Sequence, residues 1–340
     1  MTAVPRHRFG RLDEDVRQAL SAHPPEGTVG VGQVGPAKEL DIRDVGERAL
    51  LWCTQRLPFF DPRRRRPPAD PDAFPEGPLL ELVILCRLSA ERGGFGAVTR
   101  LETDRSLDLA AAVLAGPACQ ERFARVHSLF PYYAALAILL ERTGRTPVPH
   151  LNSYLRDRVA AAGGSTHALA RTAAGLLELR YYLDLGAVEH LLPPVSDLIG
   201  RSLLAERLSL CHLSDLDAYA ITHVIFAVTD MGARPYPRGE TMGNARALVR
   251  LLLAEYVAWR NWDLTAELLL CWRALGLPPD GLTDLAWRCL QGDQRPDGLV
   301  PGPHHDPRDG GGPGQIFATC YHTTLVTAMA AIVWEAPDAS

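Results

Sequence analysis

Residues 317–330 read FATCYHTTLVTAMA, an apolar run whose first turns carry Cys320, Tyr321 and His322. A segment rich in glycine and proline, 294–315, leads directly into this run. Apolar stretches with helical spacing, separated by loops of this composition, are typical of arrays of α-helices. The run therefore predicts a buried helix with polar side chains near its beginning.

More polar and nearly all-apolar stretches alternate along the rest of the chain, from residue 44 onward. Each polar stretch is followed by an apolar one, and the pairs repeat about every 50 residues. The predicted pairs are 45–57 with 78–92, 107–125 with 131–142, 148–162 with 167–185, 194–208 with 215–231, 244–259 with 263–275, and 283–291 with 317–334. No segment alternates with the period of two that a strand requires.

This pattern predicts an all-α fold and, more specifically, an (α/α)6 toroid of six inner and six outer helices. Inner helices of a toroid are covered on every side, whereas outer helices expose one polar stripe. An open right-handed superhelix of helical hairpins has the same local signature. The sequence pattern therefore does not decide whether the helices close into a ring. Residues 1–42 contain many helix breakers and are predicted to form an N-terminal arm, followed by the toroid domain over 43–335.

The overall composition is that of an ordinary globular protein. The chain has 340 residues, of which 47% are hydrophobic, enough to bury a sizeable core. Its formal net charge is −5 and no long basic face is present, so nucleic acid is not an expected partner. The 7 cysteines form no CxxC pair, and the charged N-terminus does not resemble a signal peptide. We expect a cytoplasmic protein with free thiols and no membrane span.

Polar residues near the beginnings of the predicted inner helices are the candidates for chemistry. In an α/α ring these helix ends meet at one mouth of the cavity. The unpaired N–H groups and the positive ends of the helix dipoles point into that mouth. The candidates on two of these helices are Asp215, Asp217, Tyr219, His223, Asp263 and Glu267. Helix capping explains acids at helix starts. It does not explain His223 and Glu267, which sit deeper in apolar helices where an unpaired polar group costs a few kcal/mol.

The end of the chain resembles the last repeat of protein prenyltransferase β subunits. The resemblance rests on Asp297-Gly298-Leu299, the loop after it, and Tyr321-His322-Thr323 before an apolar helix. Members of that family hold zinc with an Asp-x-Cys on one inner helix and the His of a Tyr-His-Thr on the next. The resemblance implies Asp263 and His322 as zinc ligands, but Thr265 stands where the family has its cysteine. Because the softest ligand is missing, two possibilities stay open. The protein binds no cofactor, or it binds zinc with Glu267 or Cys320 as a substitute ligand.

Two other toroid families share short motifs with this chain, mainly in its last third. Asp215-Leu216-Asp217 resembles two thirds of the Asp-x-Asp-Asp general-acid motif of class II terpene cyclases, and 290–298 is similar to their repeated Gln…Gly segment. Lanthionine cyclases add a cysteine thiolate to a dehydrated residue of a peptide, usually on zinc. Their Cys-His pair resembles Cys211-His212.

Aromatic residues help to choose between these chemistries. They make up 7% of the chain, and most of those on the predicted inner helices are tyrosines. Carbocation cyclisation relies on inert aromatic faces. Tyrosines together with histidines and acids instead form a lining for acid/base chemistry. We therefore expect a ring-forming cyclase of a bacterial natural-product pathway that acts on a modified peptide, with thioether formation as the first reaction to test.

Two alternatives stay open: a terpenoid cyclase or prenyltransferase that acts on an isoprenoid, and a non-catalytic toroid that binds a peptide or partner subunit. The expected partners are a peptide or small-molecule substrate and a partner biosynthetic enzyme. The predicted catalytic residues are His322, His223, Asp217, Asp263 and Tyr321. The predicted substrate-binding residues are Asp215, Tyr219, Glu267, Tyr182, His304 and His305. His322 is expected to act as a neutral imidazole that takes a proton or holds a metal with Asp263.

Overall fold

The structure is a computed structural model that describes residues 39–64, 73–164, 172–206, 213–306 and 311–336. These ranges contain α-helices, three short 3-10 turns and no strand, so the predicted all-α class is confirmed. The helices are α1 Ile42–Thr54, α2 Leu57–Phe60, α3 Gly77–Arg92, α4 Ala97–Leu114, α5 Pro117–Arg125, α6 Phe130–Arg142, α7 Leu151–Ala161, α8 Ala173–Leu185, α9 Val195–Ile199, α10 Asp215–Thr229, α11 Glu240–Ala258, α12 Trp262–Ala274, α13 Gly281–Asp293 and α14 Pro313–Glu335.

Six apolar helices contact one another in the order in which they occur along the chain. Helix α3 packs on α6, α6 on α8, α8 on α10, α10 on α12, and α12 on α14, and α14 also packs on α3. Other helices cover these six on most sides, and apolar residues therefore occupy most of their surface. In α6, for example, every residue of 133–140 is buried.

More polar helices pack against this group of six. Helix α1 packs against α14 and α4, α4 packs against α3, and α11 packs against α12 and α13. Helix α1 buries one face, which includes Val45, Ala49 and Trp52, and leaves the other to solvent. Amphipathic helices of this kind cover a core with one stripe.

The largest differences between the helix boundaries and the predictions fall at three places. The predicted helix 107–125 is two helices, because α4 begins at Ala97 and the chain breaks at Gly116-Pro117 before α5. Proline lacks the N–H that would continue the first helix but is well suited to begin the second. The predicted helix 194–208 is reduced to α9 and the 3-10 turn Leu203–Ala205. Helix α14 begins at Pro313, so it takes in the end of the predicted loop 294–315.

Helix α14 is long and apolar enough to cross a membrane by length and composition. We expected no uncharged segment long enough to span a membrane. This expectation was wrong, because residues 313–334 contain no Asp, Glu, Lys or Arg. Inside the protein, 78% of the apolar window of this helix is buried. Packing against α1, α3 and α12 therefore accounts for its apolar sequence. Helices α5 and α6 pass the same test as a pair, but with a bend of 99° between them.

Several sequence features lie outside the described residues. They include residues 1–38 of the predicted N-terminal arm, the Cys211-His212 pair, and the first residues of the predicted helix 167–185. The six cysteines within the described ranges are free thiols, and all but Cys289 are buried.

Candidate functional site

Helices α3, α12 and α14 bring three carboxylates around the imidazole of His322. Its Nδ1 atom lies 2.8 Å from Oε2 of Glu81, and its Nε2 atom lies 3.4 Å from Oε1 of Glu267 and 3.7 Å from Oδ2 of Asp263. The side chain of His322 is 35% exposed, whereas those of Asp263 and Glu267 are 5% and 2% exposed. We refer to these four residues as the His322 cluster.

The two buried carboxylates of the His322 cluster accept hydrogen bonds from hydroxyl groups on neighbouring helices. The Tyr219 hydroxyl donates to Oδ2 of Asp263, and the Thr323 hydroxyl donates to Oδ1 of Asp263 over 2.9 Å. The Thr222 hydroxyl donates to Oε2 of Glu267. Buried carboxylates require such donors. The positions of Asp263 and Glu267 are therefore set by α10 and α14 as well as by their own helix.

The carboxylates control the protonation of the imidazole. Burial by itself lowers the pKa of His322, but the charges of Asp263 and Glu81 and the hydrogen bonds with Glu267 and Glu81 raise this pKa well above its ordinary value. Burial raises the pKa of Asp263 despite the nearby His322 charge. Burial also acts to raise the pKa of Glu267, but the hydrogen bond from His322 and the charge of His223 outweigh it and lower this pKa. The raised pKa favours the imidazolium, a proton donor, whereas the sequence led us to expect a neutral imidazole.

A second imidazole lies near the same oxygen atom of Glu267. The Nε2 atom of His223 is 4.0 Å from Oε1 of Glu267, which is too long for a hydrogen bond. The side chain of His223 is 46% exposed, and its ring packs beside that of Phe226. One oxygen atom of a buried carboxylate thus lies near two imidazoles, at 3.4 Å from that of His322 and at 4.0 Å from the more exposed one of His223.

A cavity of about 100 Å³ lies beside the His322 cluster. Its polar lining consists of Glu81, Glu178, Glu267, His223, His322, Tyr181 and Tyr182. The rest of the lining is apolar and includes Met231 and Met329. Within the described ranges, no lysine or arginine lines this cavity. Its lining therefore carries an excess of acidic groups over basic ones.

A buried network holds Tyr181 in the wall of the cavity. Arg87 donates from Nη1 to the Tyr181 hydroxyl over 2.5 Å and from Nη2 to Oδ1 of Asp230 over 2.8 Å. The Tyr181 hydroxyl in turn donates to Oδ1 of Asp230 over 2.7 Å. Arg87 also pairs with Glu91 over 2.9 Å. Both Arg87 and Asp230 are buried, at 3% and 7% exposure, so their charges depend on each other.

The family model described as "Domain of unknown function (DUF6895)" matches residues 46–332 of the chain. The chain belongs to this family. The match covers nearly all of the described helices, and every residue of the His322 cluster lies within it. No curated protein and no solved structure matches the sequence.

Some of the predicted site residues of this DUF6895 chain lie away from the cavity lining. Asp217 forms a capping box with Ser214 at the beginning of α10, and Asp215 accepts a hydrogen bond from the Tyr256 hydroxyl over 2.8 Å. Tyr321 stacks on Phe317, with 5.0 Å between the ring centroids. These contacts give the three residues structural positions at helix ends and in the core, outside the His322 cluster.

The loop before α14 carries the two other predicted histidines. His304 is exposed, and Nδ1 of His305 lies 3.4 Å from the Thr319 hydroxyl on α14. Neither histidine lines the cavity. Residues 307–310 of this loop lie outside the described residues.

Sequence reasoning missed Glu81 and Glu178, which both line the cavity. Each is the single charged residue of a Leu-Leu-Glu-Leu segment, at 79–82 and at 176–179. The same signal identified Glu267, a charged residue in an otherwise apolar helix. Applied to every predicted inner helix, it would have found all three glutamates.

The two zinc-ligand positions that the prenyltransferase resemblance implies, Asp263 and His322, meet in the His322 cluster, with 3.7 Å between Oδ2 and Nε2. Within the described ranges, no group of three or more His, Cys, Asp or Glu side chains could hold a metal ion. Both oxygens of Asp263 accept hydroxyl donors, and His322 would have to release its proton before it could coordinate a metal. Thr265 stands at the position where prenyltransferase β subunits have their zinc-binding cysteine. Its hydroxyl donates to the Asn261 carbonyl over 2.7 Å.

Proposed function

We propose that the chain is an (α/α)6 toroid. The support for this proposal is the circuit of contacts in which α3, α6, α8, α10, α12 and α14 pack in order and α14 returns to α3. In an open superhelix the first and last inner helices would be far apart. These six helices are the apolar members of the six predicted pairs.

We further propose that the protein is an enzyme that uses His322 as its catalytic acid. The observation that carries this proposal is an imidazolium held among three carboxylates at the wall of a cavity. A perturbed histidine with a specific charge partner in a cleft is typical of catalytic sites. The nearby His223 is exposed to solvent and is available as the corresponding base.

Thioether formation in a modified peptide is the reaction that suits this pair. A cysteine thiol of the substrate adds to the β-carbon of a dehydroalanine, so that one carbon–sulfur bond forms. His223 takes the proton of the thiol, and His322 gives a proton to the α-carbon. Oε1 of Glu267 lies 3.4 Å from the His322 imidazole and 4.0 Å from the His223 imidazole, and it stabilises whichever of them carries the charge. The reaction is an isomerisation and needs no oxidant or co-reactant.

The size and charge of the cavity favour a peptide over an isoprenoid diphosphate. A cavity of about 150 Å³ is known to hold one benzene molecule, so about 100 Å³ is too small to enclose a polyprenyl chain. The acidic lining would also repel a diphosphate. The isoprenoid reaction and non-catalytic peptide binding are therefore the second and third candidates.

The test uses a peptide that contains one cysteine and one dehydroalanine. Cyclisation leaves the mass unchanged but consumes the thiol, so the remaining thiol is counted by alkylation with N-ethylmaleimide and mass spectrometry. We expect wild type to consume the thiol and His322→Asn to be roughly 10²- to 10⁴-fold slower, as is usual when a general acid is lost. His304→Asn is the matched control, because His304 does not line the cavity.

Three results would contradict the proposed reaction or redirect it. Equal rates for wild type and His322→Asn would rule out His322 as the acid. Inertness of wild type with tight peptide binding would favour the non-catalytic alternative. A stoichiometric zinc ion in purified wild type that is absent from His322→Asn would assign the residue to metal binding.

A further inference from the structure

Two polar side chains on α8 face the cavity without a bonding partner among the described residues. Glu178 and Tyr182 are one helical turn apart, on the same face of α8, and both line the cavity. Tyr182 is only 5% exposed, yet within the described ranges its hydroxyl has no hydrogen bond. The Glu178 carboxylate likewise has no ion pair there.

The other polar side chains in the cavity wall are hydrogen-bonded, except His223, whose Nε2 atom lies 4.0 Å from Glu267. Tyr181 is bonded to Arg87 and Asp230, Glu267 accepts from Thr222, and His322 is bonded to Glu81. The Tyr182 hydroxyl is not among the fully buried polar atoms that lack a partner, so it is reached from the cavity and can bond to a ligand there. The unbonded pair on α8 is therefore the part of the wall that is suited to receive a ligand group.

The chemistry of the pair identifies that group. A carboxylate accepts hydrogen bonds only, and a phenol oxygen accepts them as well as donating. Burial is the main cause of a strongly raised Tyr182 pKa, and the charge of Glu178 also raises this pKa. The neighbouring Phe226 and Tyr182 rings add faces that attract cations. A group with several N–H donors and a positive charge satisfies all of these features.

We infer that this wall of the cavity binds a primary alkylammonium group of the substrate, with Glu178 as its anionic partner and the Tyr182 hydroxyl as a second acceptor. The apolar lining around Met231, Leu325 and Met329 suits the alkyl stem of a lysine side chain better than the amino terminus of a peptide. The inference rests on the proposed function and adds to it a lysine that enters the cavity beside the reacting residues.

The test is isothermal titration calorimetry with three probes. n-Butylammonium carries the alkyl stem of lysine, glycinamide represents an amino terminus, and n-butanol is the uncharged control. We expect n-butylammonium to bind at least about tenfold more tightly than n-butanol, since a hydrogen bond to a charged group is worth about one to two powers of ten in affinity. Tighter binding of glycinamide than of n-butylammonium would overturn the assignment to lysine.

Variants then test the two named residues. Glu178→Gln should weaken n-butylammonium about tenfold or more, and Tyr182→Phe should weaken it several-fold. Glu189→Gln is the matched control, because Glu189 is an exposed glutamate shortly after α8 and does not line the cavity. Circular dichroism checks that each variant is folded. Equal affinities of wild type for n-butylammonium and n-butanol would overturn the inference without recourse to any variant.

Binding is measured without turnover, so the inference and the proposed reaction can fail separately. His322→Asn should bind n-butylammonium as tightly as wild type or more tightly, because it removes a positive charge from the cavity. A protein that binds the ammonium probe but consumes no peptide thiol would retain the ammonium site and lose the proposed reaction. Thiol consumption without ammonium binding would retain the reaction and refute the site.

Discussion

Replacing His322 by asparagine removes the imidazolium that bonds to Glu81 and neutralises two buried carboxylates. Asp263 and Glu267 are 5% and 2% exposed, so water cannot compensate them after the change. Breaking a buried ion pair by removing one partner costs about 3–5 kcal/mol. The imidazole is itself 35% exposed, and solvent screens part of its charge. We therefore expect the free energy of unfolding at pH 7 to fall by about 2–3 kcal/mol.

Equilibrium urea unfolding, followed by circular dichroism, measures this loss. His223→Asn is the matched control, because His223 is half-exposed and lies 4.0 Å from the same Glu267 oxygen atom. We expect the control to lose less than about 1 kcal/mol. Equal losses for the two variants, or a loss below about 0.5 kcal/mol for His322→Asn, would refute the assignment of a charged His322.

The pH dependence of this difference gives a second measurement. The pKa of His322 is raised in the folded state, so the stabilisation is fully present below the ordinary histidine pKa of about 6.5. It is lost as the pH rises through the folded-state pKa, which lies well above that value. The difference in the free energy of unfolding between wild type and His322→Asn should thus be largest near pH 6 and shrink in alkaline solution. A difference that grows with pH would show that the folded protein holds a neutral imidazole.

Two further changes test the packing around the site, again by urea unfolding. Arg87→Met removes a cation that is 3% exposed and bonded within a buried network, and should cost about 3 kcal/mol, whereas Arg105→Met removes one that is 60% exposed and should cost less than about 1 kcal/mol. Similar losses would contradict the buried network. Gly298→Ala should cost more than about 1 kcal/mol, because Gly298 has a φ of +95° and an added Cβ would lie 2.2 Å from the Arg48 carbonyl oxygen. Gly292→Ala, where an added Cβ meets nothing within 4 Å, should leave stability unchanged or raise it by about 0.5–1 kcal/mol, and a loss there would contradict this steric explanation.

The apolar helices were predictable because the spacing of apolar residues is a local property. The predicted helices 131–142 and 263–275 differ from α6 and α12 by one residue at most at each end. The larger errors fall where proline acts as a helix start. Pro117 begins α5 after a break, and Pro313 begins α14 ahead of the predicted position. In both cases the fixed φ and missing N–H of proline favour the first turn of a helix over the loop before it.

Part of the candidate site was also predictable, for an energetic reason. His223 and Glu267 stand out in apolar helices because an unpaired polar group there would be costly, so partners had to exist. The identity of those partners was not predictable in the same way. Asp217 carries the same charge as Glu81, but its capping box with Ser214 is satisfied locally, whereas Glu81 bonds to a histidine on another helix.

The sequence by itself determined the helical class, the positions of the apolar helices and the presence of polar groups that need partners, since each depends on neighbours within a few turns of the same helix. Only the tertiary structure decided which of these groups meet. Glu81 and His322 are 241 positions apart and come together because α3 packs on α14. The protonation of His322 follows from that meeting, because the charges of three carboxylates on two other helices together outweigh the effect of burial on its pKa.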